Sequence, residues 1–314
     1  MKLGGSMRHR MKAAPAGFLR RFAAPLAMRA GAILAAAFLA AAILAATVPS
    51  HPAMAATPTD YDRGAEAYRL QDYGNALRWF VIAANRGDAA AQNMIGEMYG
   101  RGEGLEQNDA EALRWFQMAA AQRNRAAETN LGIAYREGYG VAADYQRAYD
   151  WLKQAADVGH VPAYYHLGIM YEHGMLTTDD EEYWIDLYED AAEAGYGPAQ
   201  ARLGHMYESG VGVERDIDDA VYWYLKAAAH GQTTAQISLA MLYLSGEGVS
   251  VDPIQAHAWL SVASFLGNRG ATSLILDLTK QLTVEQVNQS QAMASDMLAK
   301  IFAPASEDGG GLQR

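Results

Sequence analysis

Histidines and carboxylates are the side chains from which any chemistry in this chain would have to be built, because its 314 residues include no cysteine. That absence removes disulfides, thiolate metal sites and thiol nucleophiles. His166 and His173 stand seven residues apart, so on a helix they share a face, with His205 farther along. A zinc site wants a closer pair at i and i+4 with a third ligand at hand. The spacing therefore predicts no metal and no cofactor. Acids crowd into one stretch: Asp179, Asp180, Glu181, Glu182, Asp186, Glu189, Asp190 and Glu193. Their order lacks the glycine on which a calcium loop turns. Two readings stay open for Asp186, Glu189 and Glu193. They solvate a helix start, where its dipole favours acid, or they form a docking patch for a basic partner. No G-x-S-x-G elbow, HExxH pair or phosphate-cradling glycine loop occurs. A carboxylate pair for glycoside hydrolysis leaves no spacing signature by which a sequence would reveal it. No catalytic residue is assigned.

These side chains lie on a repeated unit. The stretch Ala199 to Gly231, AQARLGHMYESGVGVERDIDDAVYWYLKAAAHG, returns in steps of 36 residues. Leu203-Gly204 has counterparts at Ile95-Gly96, Leu131-Gly132, Leu167-Gly168 and Leu239-Ala240. Tyr207 recurs as Tyr99, Tyr135, Tyr171 and Tyr243. Trp223 recurs as Trp79, Trp115, Trp151 and Trp259, with Leu187 breaking the column. A fixed period of this length means stacked supersecondary units and not one closed core. Each unit reads as helix, loop, helix. Ala199, Leu203 and Tyr207 fall on one face of the first helix. Gly210, like Gly138 and Gly246, ends that helix where a positive φ is wanted. Asp72, Asn108, Asp144, Asp180, Asp216 and Asp252 are the predicted N-caps of the second helices. Ala220, Trp223, Ala227 and Ala228 form the packing face, and the tryptophan column is the predicted core.

The pattern A-x-x-x-L-G-x-x-Y-x-x-G-x-G-V, then D-x-x-x-A-x-x-W-x-x-x-A-A-x-x-G, resembles the Sel-one-like repeat family, a relative of the tetratricopeptide repeats. The resemblance covers roughly Asp72 to Gly267. It implies an all-α, right-handed α/α superhelical solenoid that acts as a protein-interaction scaffold and brings no catalytic residues. Five full units are expected, with a partial N-terminal repeat and a C-terminal capping helix. That last helix opens with the capping box Thr283-Val284-Glu285-Gln286, and Val284, Val287, Met297 and Ile301 are expected to seal the stack. Alignment with tetratricopeptide first helices implies an inner curve lined by Glu97 and Arg101; Ile133 and Arg136; Tyr165, Ile169 and His173; His205 and Glu208; and Met241. Apolar anchors among a few polar groups suit a peptide groove. Plain solvent exposure is the other reading of those positions. Exported members of the family imply roles in restraining a sensor kinase or organising envelope and exopolysaccharide machinery. A second class, envelope enzymes or binders of cell wall and β-lactam, is implied by cysteine-rich relatives, and this chain has no cysteine.

Charge divides the chain. Seven of its 25 Lys and Arg (Lys2, Arg8, Arg10, Lys12, Arg20, Arg21 and Arg29) precede Ala56, and none of its 36 Asp and Glu do. The remainder has 18 basic and 36 acidic residues, a formal net of −18. Such a surface repels phosphate backbones, so no nucleic-acid partner is expected. An uncharged run from Ala30 to Val48 follows the basic leader, and Ala53-Met54-Ala55 gives an A-x-A cleavage signal. Residues 1–55 thus read as a signal peptide, or as an N-terminal membrane anchor, since the run approaches the ~20 residues of a spanning helix. Residues 56–60 form a linker, 61–302 the solenoid and 303–314 a polar, glycine-rich tail. The expectation is a periplasmic chain with a protein or peptide partner in the cell envelope and no small-molecule substrate. Contact with the membrane would come only through an uncleaved leader.

Overall fold

The computed structural model describes residues 58–177 and 182–303, and residues 1–57, 178–181 and 304–314, with the expected leader and tail, lie outside them. The described residues are all-α, with fourteen helices and no strand. Helices α1 (Asp60–Arg69) and α2 (Tyr73–Asn85) form the first hairpin. Five more follow: α3 (Ala89–Arg101) with α4 (Asp109–Ala120), α5 (Arg125–Glu137) with α6 (Tyr145–Ala156), α7 (Val161–Glu172) with α8 (Tyr183–Glu193), α9 (Gly197–Ser209) with α10 (Ile217–Ala229), and α11 (Thr233–Ser245) with α12 (Pro253–Phe265). Helices α13 (Arg269–Thr279) and α14 (Val284–Ile301) come last. Helices α1 to α13 each pack chiefly on their neighbours in the chain, and α14 folds back onto α12; the run of neighbour contacts is the pattern of a repeat solenoid.

Close approach within five of the six hairpins from α1 to α12 is set by one glycine, and Ala240 takes its place in α11–α12. A Cβ on Gly96 would stand 2.6 Å from the Phe116 ring, and one on Gly204 would stand 2.5 Å from Tyr224. Gly132 meets Leu152 and Gly168 meets Tyr188 in the same way. The α1–α2 loop is shorter, so Gly64 takes this role against Phe80. The enclosed column is therefore Phe80, Phe116, Leu152, Tyr188, Tyr224 and Leu260, all buried. This corrects the expectation of a tryptophan core. Trp259 is buried, but Trp79, Trp115, Trp151 and Trp223 are half-buried. They stand one residue earlier, about 100° round the helix, at the seam between hairpins. Trp115 packs on the α2–α3 cluster, Trp151 on α4–α5 and Trp223 on α8–α9.

Polar groups close the same seams. Gln92, Tyr164, Gln200 and Gln236 each donate to a carbonyl at the end of the preceding helix (Ala84, Ala156, Ala192 and Ala228). Helix ends leave such carbonyls without intrahelical partners. Asp72, Asn108, Asp144, Asp216 and Asp252 cap their helices by accepting from backbone N–H groups. Helix α8 departs from this: its N-cap is Glu182, with no side-chain cap bond, and Asp180 lies outside the described residues. In the same unit Leu187 is buried against α6 and α7, filling the tryptophan place. Trp184 lies under the next loop, where a Cβ on Gly212 would come within 2.5 Å of its ring.

At the C-terminal end the Thr283–Gln286 capping box is formed. Val284, however, is 79% exposed and seals nothing. Ala294 is buried with Ala258 and Val262, flanked by Met293, Met297, Leu298 and Ile301. A buried histidine joins the last three helices: His257 Nδ1 is 2.8 Å from Ser290 Oγ, and its Nε2 is 2.9 Å from Thr279 Oγ1. Among the described residues no helix is long and apolar enough to cross a membrane.

Candidate interaction face

The first helices α3, α5, α7, α9 and α11 carry the residues expected to line the inner curve. On α3, Glu97 pairs with Arg101 at 3.0 Å and accepts from Asn93 Nδ2 at 2.9 Å. Arg101 is exposed and donates to the Tyr68 hydroxyl at 2.9 Å. That hydroxyl donates in turn to Glu103 Oε2 at 2.5 Å. Burial and then the Glu103 carboxylate push the Tyr68 phenol up to about 12.

On α5, Ile133 is half-buried, and the Arg136 side chain is only 8% exposed. Arg136 pairs with Glu137 at 2.7 Å, and its Nη1 lies 3.3 Å from His166 Nδ1. Burial, then the neighbouring guanidinium, pushes His166 down to about 3, so its imidazole is neutral and Nδ1 accepts. Tyr165, half-buried on α7, has the rings of His166, Tyr188 and Tyr196 at 5.3, 5.5 and 5.4 Å. Ile169 packs against the α8–α9 cluster. His173 is exposed, with Nδ1 2.9 Å from the Ile169 carbonyl.

A motif absent from the expected set recurs in the third and fourth full units. The Tyr188 hydroxyl donates to Glu172 Oε2 at 2.6 Å, and the Tyr224 hydroxyl donates to Glu208 Oε2 at 2.5 Å. Arg202 forms an ion pair with Glu172, while its buried Nε has no hydrogen-bond partner. The two tyrosines are 36 residues apart, each following its acid by 16. That shared spacing is the signal by which sequence could have found them. His205 is exposed on α9, and Met241 on α11 is half-buried against the last core cluster.

The structure thus joins Arg136 and Tyr165 through His166, and Glu97 to Arg101. His166, His173 and His205 do not converge. Among the described residues no three His, Cys, Asp or Glu side chains gather where they could hold a metal ion. Asp186 and Glu193 are exposed and Glu189 half-buried on α8, a second helix, away from the first-helix row. Between them Asp190 titrates above the usual carboxylate range, through burial and then through Asp186 and Glu193.

The Sel1 repeat family model matches six consecutive segments, 61–88, 89–124, 125–160, 161–196, 197–232 and 233–268. A Sel1 repeat protein from Oxalobacter formigenes is similar in structure, with a TM-score of 0.58 and 29% identity over 74% of this chain and 98% of that one. The immunity protein Pa5087 from Pseudomonas aeruginosa is 21% identical over 67% of this chain and 84% of that one, with a TM-score of 0.52, a likeness of fold alone. No curated protein matches the chain.

Proposed function

The chain belongs to the Sel1 repeat family, and from that premise we propose that it is a non-enzymatic scaffold of the cell envelope, holding a protein or peptide partner along its first helices. Sel1 repeats mediate protein–protein interaction. One observation carries the reading to this face. The enclosed column keeps a buried Phe, Tyr or Leu in every hairpin. The first-helix position two after the Leu instead changes from unit to unit, through Glu97, Ile133, Ile169, His205 and Met241, and remains at least partly open to solvent. Variation at accessible positions on an invariant frame is how a solenoid acquires a specific partner.

The envelope assignment rests on the basic leader, the Ala30–Val48 run and Ala53-Met54-Ala55. Alkaline phosphatase fused after Ala56 is expected to be active, and the mature chain to begin at Ala56. An inactive fusion sinks export; an intact leader favours the anchor instead. Crosslinking in the intact envelope, followed by mass identification, is expected to give a protein partner. Replacing Arg101, His173 and His205 together by Ala should abolish that crosslink without lowering helicity. Persistence of the crosslink would move the site off this face. Turnover of cell-wall fragments by the purified chain would overturn the non-enzymatic part.

A further inference from the structure

We propose that the cavity between α3, α4 and α5 is an anchor pocket for one aromatic side chain of an extended, basic peptide. The proposal rests on the scaffold reading and adds a place and a ligand class to it. The cavity has a volume of about 310 Å³, within the range of pockets that bury small groups. Its origin is a position that carries a side chain in every other hairpin. Five residues past the first-helix Leu stand Arg136, Glu172, Glu208 and Leu244 in their units, and Tyr68 holds the corresponding place in the shortened hairpin.

The first full unit has Gly100 there, and the ring beneath it is Phe116. In the third and fourth units the same two positions hold the Glu–Tyr pairs 172–188 and 208–224. Carboxylate and hydroxyl are thus absent together, which leaves no orphaned polar group and opens a space walled by Phe116 and Ile133. Tyr139, 53% exposed, stands at the mouth with Asp109 and Asn130. Asn130 donates its amide to Asn93 Oδ1 at 2.9 Å, so its oxygen is turned to accepting. Apolar walls with acceptors at the rim suit an aromatic side chain bearing a donor. The net charge of −18 beyond the leader selects basic flanks.

Filling the slot tests the idea without risking the fold, because a Cβ on Gly100 meets only the Ala112 Cβ, at 3.9 Å. Short peptides would be selected from a random displayed library on the purified full chain, then measured on Gly100→Leu and Gly100→Glu. The expected consensus is one Tyr or Trp with Lys or Arg flanks. Affinity should fall at least ~10-fold on either variant, with Tm held or raised. Truncating the peptide's aromatic residue should cost as much on the wild type and nothing further on the variants. Peptides that bind the filled variants as well as the wild type would overturn the pocket and leave the scaffold reading standing. A library yielding no binder would also overturn the pocket, while the scaffold reading stands or falls on the envelope crosslink.

Discussion

Two glycines of α3 stand four residues apart and have opposite requirements. Gly96 admits no Cβ, which would lie 2.6 Å from Phe116, whereas Gly100 would meet only Ala112 at 3.9 Å. Gly96→Ala is expected to cost about 1–3 kcal/mol by overpacking, and Gly100→Ala to gain about 1 kcal/mol from helix propensity. Urea unfolding of both variants checks the pair, and a gain at Gly96 would refute the close approach. His166 makes a second case at this scale. Its folded value of about 3 lies below the ~6.5 of an unfolded chain. Between those values the unfolded state binds a proton that the folded state refuses, so stability is full above pH ~6.5 and falls as pH drops, by up to ~1.4 kcal/mol per unit. Urea midpoints against pH for wild type and His166→Asn should show a steeper acid loss in the wild type. Equal slopes would place the imidazole in water.

Within a hairpin, caps and cross-helix pairs set the fit of one element on the next. Asp216 accepts from two backbone N–H groups, those of Asp218 and Asp219, and Asp216→Ala should cost about 1 kcal/mol. Thermal or urea unfolding reads this directly. The Tyr224–Glu208 bond ties α10 to α9, and a double-mutant cycle with Tyr224→Phe and Glu208→Ala should return a coupling of about 1–2 kcal/mol. A coupling near zero would mean that water replaces the bond at no cost. The N-caps of the second helices other than α8 were legible in the sequence because a cap is a contact across three residues. The tyrosine–glutamate pairs were less so, since their members sit on different helices and the sequence shows only a spacing.

From α1 to α13 contacts run mainly between chain neighbours, with α14 laid back on α12, so damage should stay local. His257→Ala removes the buried link from α12 to Thr279 of α13 and Ser290 of α14. Hydrogen exchange is expected to quicken in α13 and α14 and to stay unchanged in α3 through α6. Acceleration throughout would contradict the one-dimensional picture. Repetition itself was fixed by sequence alone: the 36-residue step, the paired helices and most of their caps follow from periodicity and short-range hydrogen bonding. Which aromatic column is enclosed was a tertiary decision. The tryptophans and the Phe116–Tyr224 column share one period and differ by one residue, a rotation of about 100° whose outcome depends on how hairpins dock. The burial of His166, the partner of Tyr188 and the space above Phe116 were settled in the same way. Each is made by side chains of two helices or two units meeting, and no spacing within one repeat encodes that distance.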